Sequence, residues 1–225
     1  MAEKVIIRKN EIDDAFYKES EQNLILNKKR EIYNTYKKEI DLASTNNSVP
    51  VDVIVSFIFI ESSGNEKVKS SAGAYGLMQI TKPTAIETIL REIRNDRVTA
   101  KDKEVLFKFF PGSKYEKLKT AAKNYNISPI KDFFTDELMF DKLFNIYIGT
   151  MYISQLIDYF KEPDGSIPMF KVIVAYNSGF FSKYTKIAKQ TKTAKELIDK
   201  IPKETANYIK KLVGNNGVLG ISNYA

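Results

Sequence analysis

The stretch ESSGNEKVKSSAGAYGLMQITKPTA, Glu61 to Ala85, decides how this chain is read. It opens on a carboxylate and runs into small residues, Ser70 to Gly76, that must turn. Just before it, Val53, Ile54, Val55, Phe57, Ile58, Phe59 and Ile60 make an apolar run behind Pro50. Proline suits the first turn of a helix, where its missing N–H would have no partner anyway. A helix apolar on nearly every side belongs inside a core. The pattern therefore predicts a buried helix from Val51 to Ser62, with Gly64 as its stop signal. Glu61 falls in the last turn of that helix. Desolvation disfavours the charged form of a carboxyl, and the carbonyl end of the helix dipole acts in the same direction. A carboxylic acid kept protonated near neutral pH is what a glycosidase requires as general acid. Taken alone, Glu61 reads as an ordinary surface glutamate at a helix end.

Composition narrows the chemistry. The 225 residues are 43% hydrophobic, enough for one globular domain with a real core. No apolar run approaches the roughly 20 residues of a membrane span. The charged start, Met1 to Asn10, lacks the apolar stretch of a secretory signal, which points to a phage protein or to a chain numbered after signal removal. There is no cysteine and no histidine. That excludes a disulfide framework, thiol nucleophiles, histidine-based triads and nearly all zinc-hydrolase sites. Neither a metal nor an organic cofactor is expected. The net charge of +7 favours an anionic partner such as nucleic acid, an anionic membrane or a bacterial cell wall. Lysine, asparagine and isoleucine abundance is more readily the mark of an A+T-rich coding sequence than of a selected basic patch. The aromatic residues come with no nucleic-acid-binding pattern, so no nucleic-acid partner is expected.

Working outward, the chain reads as mainly α. Asn10 is placed to cap a helix through Ile12 and Phe16. Tyr33, Tyr36, Ile40 and Ala43 share one face of an amphipathic stretch that the loop Ser44 to Ser48 ends. Between Ser70 and Ile80 there is room for a short β-hairpin. Thr84 to Glu87 has capping-box spacing, although Pro83 allows Thr81 to hold the cap instead. From Ile86 to Phe134 the pattern is weaker, with a helix from Lys103 to Phe110, a Pro111-Gly112 turn and a second helix before Asn126. Leu138 to Phe160 reads as one strong helix. Pro163 to Gly165 breaks the chain, Pro168 to Asn177 is an apolar helix closed by Gly179, Thr193 opens another, and Pro202 begins a last one ending at Gly214.

The stretch from Glu61 resembles the signature of the soluble lytic transglycosylases, a family that shares its lysozyme-like fold with goose-type lysozymes. The matching elements are Glu61-Ser62, Ser70, Gly73-Ala74-Tyr75-Gly76-Leu77-Met78-Gln79 and Thr84-Ala85. Asn145-Ile146, Gly149 and Tyr152-Ile153 resemble the family's Asn-Ile-x-x-Gly-x-x-Tyr-Leu helix. Ala175-Tyr176-Asn177-Ser178-Gly179 resembles its Ala-Tyr-Asn-x-Gly motif, and Ile201-Pro202, Glu204-Thr205 and Tyr208 its closing segment. The resemblance implies a lysozyme-like helical domain over residues 36–214 with an enlarged insertion at 86–134. It leaves a helical extension at 1–35 and a tail at 215–225.

The resemblance also implies roles. Glu61 is the single catalytic acid/base for cutting peptidoglycan, and Tyr176 stands beside it. Ser70, Tyr75 and Gln79 contact the sugar, while Gly73 and Gly76 let backbone approach the ring, since no side chain intervenes. Ser62 is either a sugar contact or a cap for the helix end, Asn177 either a contact or part of a helix C-cap. Glu204 is either the family's second glutamate or a first-turn acid favoured by the dipole. Met78 reads as core. The glycan strands of peptidoglycan are the expected partner, at the cell envelope or in a virion. The extension and the 86–134 insertion are candidate docking surfaces. Gly64, Thr81 and Lys82 depart from the family pattern. Two other readings stand beside this one. A hydrolase would need a second carboxylate, for which Asp132, Asp136, Glu137 and Asp141 are candidates. A non-catalytic wall-binding or virion module would need no acid. Ser128-Pro-Ile-Lys131 imitates a penicillin-binding motif but lacks its partner motifs and reads as a loop.

Overall fold

The computed structural model describes residues 6–8 and 12–221. In chain order, β1 (Ile6–Arg8) and β2 (Ile12–Ala15) precede α1 (Gln22–Thr35), α2 (Lys37–Asn47) and α3 (Val51–Ser62). A hairpin of β3 (Ala74–Tyr75) and β4 (Ile80–Thr81) leads into α4 (Lys82–Arg94), α5 (Ala100–Phe109), α6 (Ser113–Asn124), α7 (Asp136–Phe140) and α8 (Lys142–Phe160). Then follow β5 (Ser166–Pro168), α9 (Met169–Ser178), α10 (Lys183–Gln190), α11 (Ala194–Ile198), α12 (Lys203–Val213) and β6 (Gly214–Asn215). The architecture is mainly α, as expected. Among the described residues the strands form three two-stranded sheets: β1 with β5 and β2 with β6, both parallel, and β3 with β4, antiparallel. Two compact units divide the chain, one made of Met1–Thr35, Val55–Ile60 and Ile153–Ala225, the other of Tyr36–Ile54 and Glu61–Tyr152.

In the first unit, every residue of α9 from Met169 to Tyr176 is buried, and α10 and α12 pack against it. Lys29 of α1 is also fully buried. A buried ammonium is costly unless it is hydrogen-bonded. Here its Nζ donates to the carbonyls of Val218 at 2.7 Å and Ile221 at 2.8 Å, which fixes the C-terminal segment on α1.

In the second unit, α4 packs on α6. Phe110, Phe134 and Phe144 form an aromatic core with ring centroids 5.4 to 6.2 Å apart. The 86–134 stretch thus supplies three helices and part of that core. A polar chain links α2, α5 and α8. Asn46 Nδ2 donates to the Tyr147 hydroxyl at 3.1 Å, and that hydroxyl donates to Asp102 Oδ1. The other Asp102 oxygen accepts from the Thr99 backbone N–H at 2.8 Å and its hydroxyl at 2.6 Å, forming the capping box of α5. Burial, and then the bond to Asp102, push the Tyr147 hydroxyl well above the usual phenol range.

α3 spans the residues that its pattern predicts, and the short hairpin is present. Elsewhere the structure corrects the sequence reading. The helix expected through Ile12 and Phe16 is absent: Ile12–Ala15 is a strand paired with Gly214–Asn215, so distant backbone overrides local preference. Asn10, its expected cap, lies outside the described residues. The loop placed at Ser44 to Ser48 is helical as far as Asn47, and only Ser48, at φ 54°, leaves the helix. Thr81, not Thr84, caps α4, accepting the Thr84 N–H at 3.2 Å. The helix expected from Leu138 to Phe160 is two, because Asp141 adopts an extended ψ of 123° and its Oδ1 accepts the Phe144 N–H at 2.9 Å. An aspartate that can cap starts a new helix where hydrophobic periodicity alone shows no break. α10 is an addition that the pattern did not indicate.

Tyr147→Phe removes the one hydroxyl joining Asn46 to Asp102 and leaves buried polar atoms short of a partner. Urea unfolding should show a loss of roughly 1–3 kcal/mol. A change within experimental error would mean that the chain of bonds contributes nothing to stability.

Candidate active site

Glu61 lies in the last turn of α3 and is partly exposed. Ser63 at φ 51° and Gly64 at φ 80° turn the chain out of the helix. Ser62 ties this end down. Its Oγ donates to the Leu77 carbonyl at 2.8 Å and accepts the Gly64 N–H at 3.2 Å. Tyr36 adds a bond from its hydroxyl to the Gly64 carbonyl at 3.1 Å. The end of α3 is thereby fixed to the glycine loop, within the unit that carries both.

The loop closes on itself through backbone and side chains together. The Ser70 N–H donates to the Ala74 carbonyl at 2.9 Å, the Ser70 Oγ accepts the Ala74 N–H at 3.0 Å, and the Gly76 N–H reaches the Val68 carbonyl at 2.8 Å. Gln79 takes the left-handed φ of 46°, and its Nε2 donates to the carbonyls of Val68 at 3.0 Å and Gly76 at 2.9 Å. Gly73, at φ 76°, needs glycine for its backbone angle alone, since an added Cβ meets nothing. Gly76 needs it twice over: φ is 68°, and a Cβ would stand 2.8 Å from the Asn145 amide nitrogen.

Asn145 is the residue whose importance the sequence motif did not disclose. On α8 and 1% exposed, it donates through Nδ2 to the carbonyls of Tyr75 at 2.8 Å and Met139 at 2.9 Å. Its Oδ1 accepts the Met78 N–H at 2.8 Å. One helical turn on, Gly149 leaves room for the Met78 side chain, whose sulfur would lie 2.6 Å from any added Cβ. Met78 is fully buried, as expected of a core residue. The signal was the four-residue spacing of Asn145 and Gly149, which puts both on one helix face.

Tyr75 is buried and donates its hydroxyl to Asp136 Oδ1 at 2.9 Å. Lys69 reaches Asp136 at 2.8 Å and Lys82 at 2.6 Å. Both ammonium groups lie over the Tyr75 ring, at 4.5 and 5.6 Å from its centroid. Hydrogen bonds from Lys69, then Lys82, then Tyr75 hold the Asp136 carboxyl well below the usual carboxylate range. Its folded value is depressed, so any stabilisation from this cluster is present above about pH 4 and is lost as pH falls below that. Glu137 is likewise lowered, by bonds from its own backbone and from Thr135. Asp141 caps α8, and Asp132 lies exposed on a short 3₁₀ turn. Among the described residues no cluster of acidic side chains is arranged to hold a metal ion.

The remaining sequence candidates belong to the other unit. Tyr176 is 8% exposed on α9 and packs edge-on against Phe57, with centroids 4.6 Å apart. Asn177 is exposed on the same helix, just before Gly179 at φ 94° closes it. Glu204 is exposed in the first turn of α12.

Comparison with known proteins follows the same lines. The profile of the Transglycosylase SLT domain matches residues 38–103, which include Glu61 and the loop through Gln79. The membrane-bound lytic murein transglycosylase E of Buchnera aphidicola subsp. Acyrthosiphon pisum (strain APS) is 30% identical over 197 residues, covering 84% of this chain and 72% of that protein. The chain belongs to the SLT family of lytic transglycosylases, and its mainly helical, lysozyme-like architecture agrees with that membership.

Asn145→Ala should loosen the loop from α8. A loss of about 2–4 kcal/mol in denaturant unfolding is expected, since three backbone groups lose a buried partner. Hydrogen exchange at the Met78 amide should quicken in parallel. A variant as stable as the parent, with an unchanged Met78 amide, would show that the carboxamide does not hold the loop.

Proposed function

We propose that the chain cleaves the β-1,4 bond between N-acetylmuramic acid and N-acetylglucosamine in peptidoglycan without consuming water, with Glu61 as the single acid/base. The observation that carries this reading is the placement of Glu61. It is a partly buried carboxyl group at the end of an apolar helix, pinned through Ser62 to the glycine loop, inside the segment that matches the SLT profile. Glu61 protonates the glycosidic oxygen, and the substrate's N-acetyl group steadies the cation. Glu61 then takes the proton of the sugar's own 6-hydroxyl, which attacks the anomeric carbon. The product is a 1,6-anhydro sugar. The intramolecular attack carries little entropic cost because both groups belong to one ring.

The other sequence candidates are given supporting roles in this reading. Ser70 accepts from the Ala74 N–H, which leaves its hydroxyl proton to donate to the glycan. Gln79 spends its Nε2 on two loop carbonyls, and its Oε1 takes no part in those bonds. Gly73 exposes backbone, whereas Gly76, expected to do the same, is buried against the Asn145 amide and acts by letting the loop close. Tyr75 shapes the loop through its ring and its bond to Asp136. Ser62 acts by fixing the end of α3. Tyr176 is assigned to support the acid or the developing charge, Asn177 and Glu204 to glycan contacts. A hydrolase would need a carboxylate to activate water. Asp136 is held by two lysines and a tyrosine, and Asp141 by a helix cap, which favours the non-hydrolytic route. The workplace of such an enzyme is the cell envelope.

Glu61→Gln should keep the fold and lose on the order of 10²-fold or more in turnover of purified peptidoglycan, because the amide cannot donate and recover a proton. Activity within a few-fold of the parent would remove Glu61 from the mechanism. Released glycans should end about 18 Da lighter than hydrolysed ends and resist borohydride, since the ring hydroxyl displaces water. Reducible ends carrying the mass of water would establish hydrolysis instead. Tyr176→Phe should lower turnover more than binding, and an unchanged turnover number would reduce Tyr176 to packing.

A further inference from the structure

The turn after α9 displays two phenylalanines on a stiff frame. Ser182 N–H bonds to the Gly179 carbonyl at 3.1 Å, the Thr185 hydroxyl donates to the same carbonyl at 2.7 Å, and the hydroxyls of Ser178 and Ser182 are 2.7 Å apart. Ser182 also caps α10. From this turn Phe181 stands out 71% exposed, the most exposed phenylalanine among the described residues. Its ring packs edge-on to Phe180 at 5.1 Å, and Phe180 meets Tyr159 at 4.9 Å. Lys189 lies 4.3 Å over the Tyr159 ring and bonds to the Tyr159 carbonyl. The apolar patch and the basic face of α10 are therefore continuous, each side chain touching the next.

That basic face is where the chain's excess charge collects. Residues 183–203 hold seven lysines against Glu196 and Asp199, which accounts for five of the net +7. Lys183, Lys186, Lys189, Lys192 and Lys195 recur at three-residue intervals and are all exposed, while Thr185 and Ala188 face inward. Glu196 is paired with Lys200. Among the described residues, Lys183, Lys186, Lys192 and Lys195 have no ion-pair partner. The positive charge is spread along an exposed surface.

We propose that this face of the first unit docks on an anionic lipid surface, with Phe181 entering the boundary between headgroups and acyl chains. Clustered lysines attract anionic headgroups, and an exposed aromatic ring gains by leaving water at the interface. A sugar-stacking platform fits less well. Phe180 and Phe181 meet edge to face with planes 65° apart, Lys189 covers the Tyr159 ring, and phenyl rings offer no hydrogen bond to sugar hydroxyls. The inference stands apart from the cleavage reaction, since none of these side chains has a role in it.

The chain has no tryptophan, so Phe181→Trp places a single fluorescent reporter in the patch. With phosphatidylcholine vesicles containing about one third phosphatidylglycerol its emission should shift to the blue, and with pure phosphatidylcholine it should not. Cosedimentation of the parent with the anionic vesicles should weaken as salt rises. Phe181→Ser, and separately the combined change of Lys183, Lys186 and Lys192 to Gln, should each lower that binding roughly tenfold or more, with thermal melting and peptidoglycan digestion unchanged. No blue shift, or equal binding to neutral and anionic vesicles, overturns the proposal. So does retention on purified peptidoglycan that these substitutions abolish while vesicles bind nothing, because the face would then serve the wall polymer.

Discussion

A single carboxamide on α8 saturates three backbone groups. Asn145 holds the carbonyls of Tyr75 and Met139 and the N–H of Met78, all within 2.9 Å. Buried backbone groups must find partners, and a tight glycine loop cannot satisfy them all by its own regular bonding. With Asn145 in place the loop is spared that penalty and is held in one shape. Gly76 and Gly149 are the steric counterpart. Gly76 lets the loop approach the carboxamide, and Gly149 lets Met78 lie against α8. The hairpin, the end of α3 and α8 thus share one polar contact and two missing methyl groups.

This arrangement suits the role proposed for Glu61 because it removes freedom around the end of α3. Glu61 sits on a helix whose end is bonded to Leu77 through Ser62 and to Tyr36 through Gly64. Leu77 and Met78 are adjacent, so the bonds from α3 and from α8 meet on consecutive loop residues. A group that must donate a proton and then recover it gains from being held within hydrogen-bond reach of one oxygen and then another. Tyr75 extends the frame outward, carrying the Lys69–Asp136–Lys82 cluster that joins the hairpin to α7.

Several polar side chains that look like ligand contacts in the sequence are engaged inside the protein. Ser62 bonds to Leu77, and the Gln79 amide bonds to Val68 and Gly76. A motif read as letters cannot separate a residue that touches substrate from one that shapes the loop touching it, because both need the same hydrogen-bonding atoms. The aspartates after Ser128 make the same point. As a string they offer several spare carboxylates, yet in the fold Asp136 is neutralised by lysines and Asp141 begins a helix.

The sequence by itself determined α3 from Val51 to Ser62, the cap of α11 at Thr193, α9 and its closing glycine, and the need for glycine at 73. Each depends on periodicity, proline or a backbone angle set within a few residues. It also marked Glu61 as the residue to watch, through the motif that begins there and not through the helix end alone. Only the tertiary structure decided that Ile12–Ala15 is a strand, because its partner, Gly214–Asn215, lies some two hundred residues away. Only the fold showed that Gly76 is required by Asn145 and Gly149 by Met78, contacts spanning about seventy positions. Local energies of a few residues are legible in a string, but the pairing of a buried amide with a distant backbone is fixed only when the chain closes on itself.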